Sequence, residues 1–119
     1  MIFSKKKITE LEYQIIEKVK SLRQEKRISK MELSTLIGVA DSFVGKVESY
    51  AHPDKYNFKH LFKIAIALKL TSVKELIPDE IPKYDEIEII YEMVPKLKKD
   101  GTKSKQLESQ VLNIRPIKI

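Results

Sequence analysis

The stretch MELSTLIGVADSFVGKVES, residues 31–49, carries one amphipathic helical pattern up to a single glycine and resumes another just beyond it. Glycine inside a helix costs about 1 kcal/mol relative to alanine, so Gly38 makes sense only where the chain must turn sharply between two short helices. Ser29 and Glu32 form a capping box that opens the earlier helix, and Leu33, Leu36 and Ile37 give it an apolar face. Gly38 can take the positive φ of a tight turn. A further helix is predicted from about Asp41 to Ser49, with Val44 and Val47 as its buried stripe and the small Ser34 where the two helices cross. So short a connection sets the pair roughly perpendicular and lets the N-terminal half of the second helix project from the body, a geometry suited to a DNA major groove.

The flanking sequence supplies a body for this pair. Ile8, Leu11, Ile15, Val19 and Leu22 follow the spacing of one helical face, and Thr9 with Glu12 is a second capping box, which predicts a helix from Ile8 to about Glu25. Asn57 can cap a fourth helix through FKHLFKIAIALKL, with Leu61, Ile64, Ala65 and Leu68 inward. SVKELI predicts a short fifth helix that stops at Pro78. Residues 1–78 therefore read as a five-helix domain and residues 79–82, between Pro78 and Pro82, as a hinge. Beyond it the period falls to two: Ile87, Ile89, Tyr91 and Met93 alternate with Glu86, Glu88, Ile90 and Glu92. Asp100 and Gly101 then signal a turn before the apolar run VLNIRPIKI, where Pro116 confines a strand to an edge or end. The expectation is a mainly α protein with a small C-terminal β extension, a hairpin-like unit over residues 83–119.

Composition removes several functions. With no cysteine there is no disulfide framework or thiol nucleophile, and His52 and His60 have no partner at metal-ligand spacing. Glu86, Glu88 and Glu92 share a strand face but have neither a nucleophile nor an apolar pocket beside them, and no Gly-rich phosphate loop or serine elbow is present. Neither an enzyme nor a cofactor is expected. The start MIFSKKKITE lacks the apolar run of a signal peptide, and no stretch approaches the ~20 apolar residues of a membrane span; the reading is a cytoplasmic protein with no membrane partner. A net charge of +6 and a pI near 9.4 point to a polyanionic partner.

Taken together, Leu22 and Arg23 late in the first helix, Ser29, Leu33, Gly38, Val44 and Glu48 resemble the XRE-type helix-turn-helix family of phage repressors and Cro, over roughly residues 15–78. The resemblance implies a repressor-like DNA-binding domain that acts in transcription regulation on double-stranded DNA. It implies base-reading roles for Asp41, Ser42, Gly45 and Lys46, with Lys46 on a guanine and Phe43 against a thymine methyl. It places Arg23, Ser29, Lys30, Lys55, Tyr56, Asn57 and Lys59 on phosphates, and it pairs Arg23 with Glu48 so that the arginine is oriented toward the backbone. Two departures stand out. Tyr50 occupies the place of a glycine, with a longer loop after it, and Lys30 and Asp41 stand where glutamines are usual. Blander roles fit some of these residues: Lys55, Lys59 and Lys63 suit a solvated helix face, and Phe43 suits the core. A homodimer is expected, its contact made by the strip Ile87, Ile89, Tyr91 and Met93, which a lone hairpin cannot bury. The alternative is an antitoxin-like or adaptor module that binds a protein partner through the strands of residues 83–119.

Overall fold

The computed structural model describes residues 3–98 and 100–117. Strand β1, Ser4–Thr9, leads into helix α1, Glu10–Glu25, and three more helices follow: α2, Lys30–Leu36; α3, Phe43–Glu48; and α4, Phe58–Ala67. A single 3₁₀ turn, Val73–Leu76, precedes two long strands, β2 at Glu86–Leu97 and β3 at Lys103–Ile117. The strands form an antiparallel sheet in the order β1-β2-β3.

This is an α+β fold, not the mainly α, five-helix protein that the periodicity suggested. The fifth helix is a 3₁₀ turn. Ser72 caps it, but Ile77 is already extended and Pro78 follows, which leaves too few residues for a second turn. The first helix begins at Glu10, because Ser4–Thr9 pairs with β2 in the register Ile8 to Ile87 and Ser4 to Tyr91. Ile8 fits a helical spacing and a strand equally well, and a partner strand nearly eighty residues away decides between them.

The capping chemistry is as the residue types dictate. Thr9, Ser29 and Asn57 each accept from the backbone N–H three residues on, and the side chains of Glu12, Glu32 and His60 reach back to the cap. Gly38 has φ 75° and Gly101 φ 87°, both in the region where a side chain would be strained.

Two apolar clusters hold the molecule together. Val19, Leu33, Ile37, Val44, Leu61, Ile64, Leu68 and Leu76 unite the helices. Ile8, Ile16, Val47, Tyr50, Ile87, Ile89 and Tyr91 seat the sheet against α1 and α3. Both helices serve both clusters, because Ile16 and Val19, like Val44 and Val47, lie one turn apart. The apolar strip assigned to a second copy is therefore largely covered by the chain itself. Ile87, Ile89 and Tyr91 are 2%, 0% and 8% exposed, and only Met93 stays open. No helix among the described residues is long and apolar enough to cross a membrane.

Candidate nucleic-acid interface

The α2–turn–α3 unit is built from its inside outward. Leu33, Ile37 and Val44 are buried to within 1%. Ser34, also fully buried, does more than allow close approach: its Oγ donates to the Lys30 carbonyl at 2.9 Å and accepts the Val44 N–H at 3.1 Å. One hydroxyl thus ties the body of α2 to the first turn of α3 and satisfies a donor that a helix start leaves orphaned. Sequence reading saw only the residue's small size. Hydrogen bonds from Gly38 N–H to Thr35 and from Val39 N–H to Ser34 close the turn.

Below this unit, Arg23 and Glu48 meet in a two-pronged ion pair, Nε to Oε2 at 2.9 Å and Nη2 to Oε1 at 2.8 Å. The remaining Arg23 nitrogen, Nη1, donates to the Ile28 carbonyl at 2.8 Å. With three of its five N–H groups engaged and only 6% of its surface exposed, Arg23 is turned mainly inward. Arg23 thereby joins α1, α3 and the α1–α2 connection, and the expected pair with Glu48 is present.

Seen from outside, α3 presents Asp41 and Ser42 just before its first turn and Lys46 one turn later, all exposed. Gly45 lies between them with Lys30 of α2 alongside; a β-carbon on Gly45 would come 3.8 Å from the Lys30 side chain. The helix starts at Phe43, later than the residue pattern placed it, and Ser42 makes no side-chain cap. Phe43 turns partly inward, its ring 4.7 Å from that of His60 and 6.0 Å from that of Tyr56. It is half-buried and packs partly against both apolar clusters.

The other phosphate candidates divide. Ser29, Asn57 and Lys59 are exposed at the starts of α2 and α4, but the side-chain oxygens of Ser29 and Asn57 also hold the caps, accepting from Glu32 N–H at 3.0 Å and His60 N–H at 2.8 Å. Lys30 is half-buried, and burial, helped by the positive charges of Lys96 and Arg23 and opposed by Glu48, lowers its pKa. Lys55 is drawn back to α1 by Glu12 at 3.1 Å. Tyr56 is withdrawn: its hydroxyl is buried without a hydrogen-bond partner among the described residues, and burial raises its pKa. Asp41, Ser42 and Lys46 are thus exposed around α3 with Gly45 and Lys30 half-buried beside them, while Arg23 is buried and Tyr56 and Phe43 are half-buried.

Tyr50, which the resemblance set in place of a turn glycine, is 4% exposed. Its hydroxyl donates to Glu17 at 2.7 Å and its backbone N–H donates to Ser109 Oγ at 3.3 Å, so the end of α3 is fastened to both α1 and β3. Sequence reading registered the departure without its purpose, because the partner strand lies far along the chain.

Over 54% of its length the chain is similar to the crystal structure of the restriction-modification controller protein C.AhdI from Aeromonas hydrophila, covering 92% of that chain with 28% identity and a TM-score of 0.47. No family model matches the chain. No curated protein matches it.

Proposed function

We propose that the chain is a sequence-specific, DNA-binding transcriptional regulator that lays α3 in the major groove. The observation that carries this reading is the sidedness of α3. Val44, Val47 and Glu48 lock it to the body, while Asp41, Ser42 and Lys46 stand clear on a chain of net charge +6. Ser42 and Lys46 lie on one helical face at the spacing of successive base pairs. Lys46 donates to a guanine edge, and the Asp41 carboxylate accepts from a cytosine amino group. Lys30, Ser29 and Lys59 flank them with phosphate contacts.

The protein acts as a homodimer, since a single such unit reads few base pairs and two-fold pairs read half-sites one turn apart. The sheet strip is not free for this contact. An exposed apolar stripe lies on α4, where Phe58, Phe62 and Ile66 recur every four residues and are 85%, 59% and 76% exposed. A stripe of this spacing matches its own copy across a two-fold axis.

Selection of bound duplexes from a random pool, followed by titration of the winner against a scrambled competitor over a range of salt, tests the reading. Enrichment of a two-fold symmetric sequence is the expected result. Failure to retain any duplex at low salt would sink it and favour the second reading, in which the free edge of β3 takes up a strand from a protein partner.

A further inference from the structure

The β2–β3 hairpin outgrows the sheet that carries it. Strand β1 pairs with Glu86–Tyr91, and beyond the last described pair, Ser4 with Tyr91, β2 runs on to Leu97 with β3 as its only described neighbour. The six further residues Glu92–Leu97, opposite Lys103–Gln110 of β3, make a two-stranded arm about 20 Å long. At its tip Gly101 meets no atom within 4 Å of where a β-carbon would stand.

The arm's charge is uneven. Lys96, Lys98, Lys103 and Lys105 are all exposed toward the tip. Asp100, among them, turns its carboxylate onto the Thr102 N–H and hydroxyl at 2.9 and 2.6 Å. Glu92 and Glu108 sit nearer the root. The arm is also placed. Its root is pinned at the end of α3 by the Tyr50–Ser109 hydrogen bond, and a groove separates it from α1 and α3, with Tyr13, Lys20 and Glu48 on one wall and Val94, Leu97 and Lys103 on the other. Lys30, whose side chain lies alongside Gly45 of α3, is near the charges of Glu48, Lys96 and Glu108. Lysines therefore stand both beside α3, at Lys30, and on the arm, at Lys96 and Lys103, while Glu17, Glu48 and Glu108 share the groove between arm and helices.

We propose that this arm is a second DNA-binding element, a β-ribbon whose lysines grip the phosphates of the same duplex beside the segment held by α3. The proposal rests on the major-groove reading of α3 and extends it. A ribbon of two strands alone gains little by burying its faces, and lysines on a free tip contact phosphates without reading sequence. The arm thus widens the footprint and steepens the salt dependence and leaves the choice of sequence to α3.

The test is a salt titration of binding to a mixed-sequence duplex of about three helical turns, ~30 base pairs. It compares the unaltered protein, a variant with Lys96, Lys98, Lys103 and Lys105 all changed to Ala, and a variant with the same four changed to Arg. For every phosphate that the protein no longer neutralises, the slope of log K against log salt becomes shallower by about 0.9. The expectation is a slope shallower by about 2 or more in the alanine variant and restored in the arginine variant, with thermal unfolding unchanged in both. An alanine variant with the original slope and affinity overturns the arm alone. If the unaltered protein retains no duplex, the α3 reading falls and the arm falls with it. A variant that changes only the sedimentation of the free protein makes the arm a protein-binding surface and likewise overturns the proposal.

Discussion

Glu48 shows how much a single side chain inside this fold carries. Its carboxylate faces a guanidinium that is itself sealed from water, so Glu48→Ala would strand a buried positive charge, a change that typically costs roughly 3–5 kcal/mol. Urea unfolding of E48A, R23A and the double variant should give a coupling energy well above about 1 kcal/mol, and a value near zero would show that the two groups act independently. Ser34→Ala should cost about 1–3 kcal/mol, because the Val44 N–H loses its acceptor in a place water does not reach; Ser34→Thr does not rescue it if the pocket is as tight as its 0% exposure implies. His60 gives a pH signature. Burial, with Lys63 and Lys59 nearby, holds its pKa below the ordinary 6.5, and its Nδ1 accepts the Asn57 N–H at 3.1 Å, a bond only the unprotonated nitrogen makes. The unfolded chain therefore takes up a proton in a range where the folded chain refuses it, so stability falls as pH drops below about 6.5 and levels off below the folded value. The urea midpoint should follow that course in the unaltered protein and flatten in His60→Gln; an equal slope in both would remove His60 from the account.

Among the elements, those whose signals are local were legible in the sequence. The three caps, the positive φ at Gly38 and the Asp100–Gly101 turn each depend on residues within four positions of one another. Strand β1 was not legible, because SKKKIT has no apolar alternation beyond Ile8 and becomes a strand only by pairing with β2. The burial of Ile87, Ile89 and Tyr91 was hidden for the same reason, since their cover comes from Ile8, Ile16, Val47 and Tyr50. On α3, the spacing gave the buried Val44 and Val47, whereas Asp41, Ser42, Gly45 and Lys46 were singled out by the resemblance. The inward turn of Phe43 and the withdrawal of Tyr56 depend on an aromatic cluster with His60 that no spacing rule contains. For this element the expectation is that Lys46→Ala relaxes base preference at one position per half-site and costs about 1–3 kcal/mol on the preferred site. Equal loss on all sequences would make Lys46 a phosphate contact.

At the scale of the molecule, the sheet is part of the structure that holds α3 in place. Truncation after Pro82 would uncover Ile8, Ile16, Val47 and Tyr50 together, and at about 25 cal/mol per Å² of newly exposed apolar surface the helical half should lose much of its stability. Thermal unfolding of the truncated chain should show a clearly lower midpoint; an unchanged one would mean that the helices stand alone. Phe62→Glu on α4 should shift sedimentation toward the monomer without lowering that midpoint.

The pairing of β1 with β2 also orders events in time. Ile8 and Ile87 are direct partners, yet nearly the whole helical half is synthesised between them, and contacts so distant in sequence form slowly because a long loop must close first. The helices can collapse on their own local contacts while Ile16, Val47 and Tyr50 wait uncovered for a sheet that does not yet exist. Pulsed amide labelling during refolding should protect α1 and α4 before Ile87–Tyr91. On the ribosome, the same lag leaves the nascent chain with an open apolar face until β2 emerges, and that interval is when the protein is most exposed to chaperones and to aggregation.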